Sequence, residues 1–260
     1  MRFVTITTDF GMPSGSMKGV IWGISPDSQI ADISWSIRPQ NVYEAALMLD
    51  RQVYYFPEET VHVIVVDPGV GTHRRPIAAR IGDYFYVAPD NGVLTPMIER
   101  AEKDGKPVQV VHTDNPDFWL PEVSNIFHGR DIFAPVGGHI ASGAELEKLG
   151  PEITDFVRLD MPKPVETNGG MVGQIAEIYE HFGNIITNIH KNDMKHLGDV
   201  DVTLCGTTIE GMVRTFGERP VGSLVALFDE CGFLYVAVTN GNAAKRLGAS
   251  QGDRVEIRPR

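Results

Sequence analysis

The sequence predicts an α/β protein in two parts: a three-layer N-terminal domain with a mainly parallel sheet over residues 1–160, and a smaller antiparallel β-barrel-like domain over 171–260, joined by a linker at 161–170. Three observations carry this. Apolar, β-branched strand signals alternate with amphipathic helical ones through the first half. Met161-Pro162-Lys163-Pro164 and the polar stretch to Gly170 mark a change of texture. Beyond it helical signals nearly vanish, leaving short strands separated by turn residues.

Taken in order, Phe3 to Thr8 reads as a buried strand broken by Asp9-Phe10-Gly11. Ser16 to Ile24 has helical spacing and stops before Pro26. Gln29 to Ile33 is a short strand. Asn41 to Tyr55 is a helix with Ala45, Ala46, Leu49 and Val53 inward and Asn41 as its N-cap. Val61 to Val66 is the strongest strand, apolar almost throughout as a strand covered on both faces should be, and it ends at Asp67-Pro68-Gly69-Val70-Gly71. Ile77–Ile81 and Tyr84–Ala88 flank Gly82-Asp83, a hairpin signal. A helix over 95–102, a strand over 108–112 and a helix from Asp131 to Ser142 complete the half. After the linker, strands are expected at 171–179, 200–205, 223–228, 233–238 and 254–257.

Composition narrows the function. With 42% apolar and 22% charged residues the chain is globular, and 260 residues bury a core without covalent staples. A net charge of −11 argues against nucleic acid, whose phosphates need a clustered positive face. Two cysteines, Cys205 and Cys231, lack CxxC spacing, which disfavours disulfide scaffolds and cysteine-based zinc sites. The N-terminus starts directly as a strand, with no charged segment followed by an apolar run. No apolar stretch nears the ~20 residues of a membrane helix, so a cytoplasmic enzyme is expected.

Chemistry concentrates where strands end. Thr7-Thr8-Asp9 and Val65-Val66-Asp67 each place a carboxylate just past a buried strand and beside glycine, and ligands of α/β sheets gather at such carboxyl ends. Either aspartate alone could simply stabilise its own turn. The loop from Gly69 to Arg75 fits neither the dinucleotide fingerprint nor a P-loop. Ser124-Asn125-Ile126-Phe127-His128-Gly129-Arg130-Asp131 is the densest polar cluster; Asp131 reads as N-cap of the following helix. Asp9, Asp67, His128 and Asp131 would permit a metal, yet no HxH, HExxH or carboxylate ladder completes a site, so none is expected. In the second half, Phe182-Gly183-Asn184 offers an aromatic face and an amide on one turn, a purine-binding pair or an ordinary Asx turn.

Together TTDFG (7–11), VVDPGVG (65–71), FHGRDIFAP (127–135), HFGNIITNI (181–189) and TNGNAAKRLG (239–248) resemble, over essentially the whole chain, the S-adenosylmethionine hydroxide adenosyltransferases, cousins of fluorinases and chlorinases. The resemblance implies hydrolysis of S-adenosylmethionine to adenosine and methionine, with no cofactor. It also implies a homotrimer whose substrate lies between one subunit's N-terminal domain and a neighbour's C-terminal domain. The family's Asp-Arg-His triad falls on Asp67, Arg74 and His128, with Arg75 the alternative arginine one position on. Asp9 matches the ribose-binding residue, and Phe182 and Asn184 the adenine contacts. Glu180, Ser14, Ser16 and Asn240 match further substrate contacts. Glu180-His181 stands where relatives often carry aspartate before FGN, and Gln40 stands near where they place an aromatic. Halogenating relatives replace the aspartate corresponding to Asp67, whose charge would repel a halide, so water is the expected nucleophile. Two other classes fit less well: a non-catalytic binder has no use for the triad, and a metal-dependent hydrolase would be stopped by a chelator.

Overall fold

The computed structural model describes residues 2–179 and 181–260, so Glu180 lies outside the described residues. The chain divides into two compact units, Met1–Leu159 and Asp160–Arg260. The first runs β1 Phe3–Thr8, α1 Gly15–Ile24, β2 Gln29–Ser34, α2 Val42–Gln52, β3 Val61–Val65, β4 Pro76–Ile81, β5 Tyr84–Pro89, α3 Thr95–Lys103, β6 Val108–His112, α4 Ala134–Ala141 and α5 Leu146–Leu149. Its six-stranded sheet has the order β2-β1-β3-β5-β4-β6. The first four of these are parallel; β4 pairs antiparallel with both β5 and β6.

The period of two along β3 sets the three layers. Val61, Val63 and Val65 face a cluster with Met17 and Ile21 of α1 and Val136 and Ile140 of α4. Ile64 and the following Val66 face the other way, onto Leu49 of α2 and Met97 and Ile98 of α3. Each such side chain contributes about 1.5–3 kcal/mol on full burial. Asn41 caps α2, its side chain accepting from Glu44 N at 3.0 Å. Burial of both sheet faces is why the central strand reads as a continuous apolar run.

The expected helix from Asp131 differs in its start. A π-helical turn over Gly129–Phe133 precedes α4, and Asp131 lies inside it. The Asp131 N–H already donates to Phe127 O at 3.2 Å, so Asp131 is not an N-cap. Its carboxylate turns back to the preceding loop and accepts from Ser124 N at 2.8 Å.

The second unit runs β7 Val165–Thr167, β8 Gly170–Tyr179, β9 Asn184–His190, β10 Val200–Leu204, β11 Thr207–Ile209, β12 Leu224–Phe228, β13 Phe233–Val238, α6 Ala243–Leu247 and β14 Arg254–Pro259. The sheet order is β11-β10-β14-β8-β9-β13-β12, with β7 beside β8, and every pairing is antiparallel. Beyond β11, Val213 N donates to Ala226 O of β12 at 2.8 Å, which nearly closes the sheet into a barrel. Ile175, Ile185, Val202, Val236 and Val255 fill its interior. The stretch expected as linker contains β7, because Val165, Glu166 and Thr167 pair in register with Val172, Met171 and Gly170. The FGN segment, read only as a turn, leads into β9. α6 is a single capped turn too short to leave a periodic signal. Among the described residues no helix is long and apolar enough to cross a membrane.

Candidate active site

β1 and β3 are parallel neighbours with Thr8 opposite Val65, so Asp9 and Asp67 leave the sheet at one carboxyl edge. Asp9 is fixed by its own surroundings: its Oδ2 accepts the Gln40 N–H at 2.7 Å. Gln40 presents that N–H from a left-handed conformation, φ 65°, unusual for a residue other than glycine.

Past Asp67 the chain doubles back. Val70 N donates to Asp67 O at 3.2 Å, and Thr72 donates to Gly69 O through its N–H at 3.1 Å and its hydroxyl at 2.7 Å. These successive turns return Arg74 onto Asp67. Arg74 Nε lies 2.9 Å from both carboxylate oxygens and Nη2 2.5 Å from Oδ2. The pair is buried, with side-chain exposures of 10% for Arg74 and 5% for Asp67. Arg75 points elsewhere and pairs with Asp90 and Asp155. Geometry therefore selects Arg74 over its neighbour as the partner of Asp67.

The same guanidinium holds the histidine. Arg74 Nη2 lies 2.8 Å from His128 Nδ1. A guanidinium only donates, so Nδ1 accepts and the neutral ring carries its proton on Nε2. Burial, then the nearby Arg74 charge, lowers the His128 pKa, against the opposite pull of Asp67 and Asp131. The ring is thus held neutral at physiological pH.

Two glycines make this convergence possible. At Gly71, φ +75°, a Cβ would sit 2.4 Å from Asn125 O, so only glycine lets this loop meet the 124–128 segment. At Gly129 a Cβ would meet Val65 Cγ1 at 3.1 Å and Phe10 Cζ at 3.3 Å, so the π turn lies directly against the end of β3. Such turns recur at functional sites. Phe10 and Phe127 pack edge to face at 5.7 Å, and Phe133 lies beneath the guanidinium at 5.0 Å, giving the polar trio apolar walls.

Not every expected residue joins this cluster. Ser14 and Ser16 sit at the start of α1 with their hydroxyls 3.0 Å apart, bonded to each other. The four side chains of the metal alternative are each engaged: Asp9 by Gln40, Asp67 and His128 by Arg74, Asp131 by Arg130 and Ser124. Among the described residues no group of three or more His, Cys, Asp or Glu could hold a metal ion.

Within the second unit a separate cavity of about 530 Å³ is lined by Phe182, Asn184 and Asn240 together with His181, Phe216 and Asn242. Phe182 is 63% exposed, with the His181 ring packed edge to face against it at 4.6 Å. The side chain of Asn184 bonds the Tyr235 hydroxyl, whose pKa burial pushes up to about 12. Gly183, φ +68°, lets the turn approach Asn242, which caps α6 through Lys245 N at 2.7 Å. An aromatic face, three amides and an open mouth suit a flat heterocycle.

Residues 4–150 match the model of the SAM hydroxide adenosyltransferase N-terminal domain, and residues 173–256 that of its C-terminal domain. The chain belongs to the SAM hydroxide adenosyltransferase family. Within it, a protein named (R)-S-adenosyl-L-methionine hydrolase from Salinispora tropica is 34% identical over 273 residues, spanning 98% of this chain and 97% of its own. One of the same name from Thermus thermophilus is 36% identical over 267 residues, spanning 99% and 100%. A protein named fluorinase from Nocardia brasiliensis is more distant, 27% identical over 292 residues at 98% and 96% coverage. The crystal structure of an uncharacterized conserved protein from Thermotoga maritima matches with a TM-score of 0.89 at 36% identity, covering 98% of this chain and 99% of that one.

For this family member, sequence reasoning missed Phe10, Phe133, Phe216 and Asn242. The first three look like core residues in one dimension. Asn242 before Ala243-Ala244-Lys245 carries an N-cap signal that would have located α6 and the rim of the cavity.

Proposed function

We propose that this enzyme hydrolyses S-adenosyl-L-methionine to adenosine and L-methionine by in-line attack of water on the ribose C5′, with the water held by Asp67, Arg74 and His128. The observation that carries this reading is the single guanidinium that grips Asp67 through two nitrogens and His128 Nδ1 at 2.8 Å. A carboxylate so fixed leaves its remaining lone pairs as acceptors of known direction. The O–C5′ bond forms as C5′–S breaks, the electron pair goes to sulfur, and the sulfonium leaves as a neutral thioether. No acid is needed for departure; the demand falls on the nucleophile. Asp67 accepts the water proton, and positioned proton transfer of this kind contributes about 10² to 10⁴-fold. Alignment of oxygen, C5′ and sulfur contributes up to ~7–11 kcal/mol.

Asp9 takes the ribose, since one carboxylate can accept from both the 2′ and 3′ hydroxyls. Phe182 and Asn184 take the adenine by stacking and by amide pairing, and Asn240 borders the same cavity. Ser14, Ser16 and Glu180 complete the proposed substrate contacts. A carboxylate at 67 disfavours halide as nucleophile, which supports hydrolysis over the activity in the fluorinases' name. The reaction as written consumes no cofactor and takes place in the cytoplasm. The working form is a homotrimer, in which the N-terminal unit of one subunit and the C-terminal unit of another hold one substrate molecule.

The test is chromatography of adenosine and methionine after incubation with each sulfonium epimer in chelator, since the relatives' name specifies the (R) form. Equimolar products, lost in Asp67→Ala, support the proposal. Tight binding without products makes the protein a binder, and activity only with added metal overturns the proposed water-positioning trio. Light scattering of the purified protein tests the trimer.

A further inference from the structure

The sequence offers Asp131 as a helix cap and the structure denies it that role, leaving a carboxylate with no exposure at all, on a turn next to His128. A buried carboxylate is costly unless it is paired and hydrogen-bonded, so its bonds show what it holds. Oδ1 accepts from Arg130 Nε at 2.6 Å; Oδ2 accepts from Ser124 N at 2.8 Å and from Arg130 Nη2 at 3.2 Å. Arg130 bonds it from the surface side. The Ser124 bond reaches inward across the loop that carries the histidine.

That loop is closed on itself. Ser124 Oγ accepts from Phe127 N at 3.0 Å, and Phe127 O accepts from both Arg130 N and Asp131 N at 3.2 Å. The His128 side chain leaves this ring of contacts toward Arg74. The turn that carries His128 is thus tied at both ends to Asp131, through Ser124 N–H to its carboxylate and through Phe127 O to its own N–H. Side-chain bonds join Asp67, Arg74 and His128, and the backbone turn that carries His128 is held through Ser124 by Asp131.

We infer that Asp131 is a positioning residue for the hydrolysis proposed above: by anchoring Ser124 it fixes the orientation and tautomer of His128, and through them the guanidinium that aligns Asp67. The inference rests on that proposed reaction for its kinetic arm. Its spectroscopic arm reads the ring directly and needs no turnover. Three charged groups act on the His128 ring: Arg74 and Asp67 from the loop after β3, and Asp131 from its own turn. The negative charge of Asp131 favours the protonated ring, so removing it shifts His128 titration to lower pH.

Asp131→Asn keeps the shape and one acceptor but removes the charge. It lowers kcat tenfold to a hundredfold while KM stays within about twofold, and it moves the acid limb of the kcat–pH profile to lower pH. Two-bond ¹H–¹⁵N spectra of His128 show the Nε2–H tautomer in the wild type and a mixture in the variant. Arg130→Gln, which leaves the Ser124 bond in place, retains the wild-type tautomer. If Asp131→Asn does not fold, Ser124→Ala, which removes the hydroxyl bound to Phe127 N, gives the same split between kcat and KM at smaller size. A variant with wild-type kcat overturns the inference. So does a slowed variant whose ring spectrum and pH profile are unmoved. Loss of the tautomer in a protein that does not hydrolyse S-adenosylmethionine would retain the positioning role and overturn only the proposed reaction.

Discussion

Arg74→Lys separates charge from geometry at the centre of the site. The guanidinium makes three contacts with Asp67, at 2.9, 2.9 and 2.5 Å, and one with His128 at 2.8 Å. An ammonium keeps the positive charge but offers one nitrogen, which cannot grip both carboxylate oxygens and the imidazole in one plane. At least one charge-assisted hydrogen bond is lost, worth about 1.5–3 kcal/mol. If that loss is felt in the transition state, kcat falls roughly 10- to 150-fold at 1.36 kcal/mol per decade. KM should change little, because the contacts lie between protein groups. The assay is the initial rate of adenosine formation at saturating S-adenosylmethionine, with a melting curve to establish that the variant is folded. Arg75→Lys is the internal control: Arg75 serves Asp90 and Asp155, so its variant keeps kcat within about threefold. A folded Arg74→Lys enzyme turning over within threefold of wild type would refute the argument from guanidinium geometry.

Other contacts carry expected outcomes of their own. Asp9→Ala removes the carboxylate held by Gln40 N and should raise KM at least tenfold with a smaller effect on kcat, read from saturation curves. Phe182→Ala, at an exposed position in the second-unit cavity, should weaken binding of adenosine by calorimetry and leave the melting temperature unchanged. His62 is fully buried, bonded to Thr5 Oγ1 at 2.7 Å, and burial lowers its pKa to about 3. Its folded pKa lies below its unfolded one, so it costs nothing above about pH 6.5, and stability is lost as pH falls from there toward about 3. At pH 5 the loss is about 2 kcal/mol, at 1.36 kcal/mol per unit. Urea midpoints of wild type and His62→Gln at pH 7 and pH 5 check it. An equal drop in both proteins would show that other groups govern the acid limb.

The strands and helices of the first unit were legible because each is a local pattern. β3 is apolar at every position but one, α2 carries its cap and its 3.6-residue stripe, and the β4–β5 hairpin announces itself by Gly82-Asp83. Asp9 and Asp67 could be placed on one edge because a parallel sheet puts strand ends together. The motif set, read as a whole, was enough to place the chain in its family. What it left open was where side chains point. Nothing local distinguishes Arg74 from Arg75; the two turns after Asp67 send one onto the carboxylate and the other toward Asp90. Asp131 has the residue type and position of a cap, and only the π turn, made possible by Gly129 against Val65, puts it inside the helix with its carboxylate on Ser124. β7 and β9 were hidden for a related reason: three residues of strand, or a strand opening on a functional turn, are defined by the partner across the ladder. Composition and periodicity determine which segments are buried and how often they turn. The direction of a guanidinium, the tautomer of an imidazole and the partner of a buried carboxylate depend on atoms distant in sequence, and folding alone brings those together.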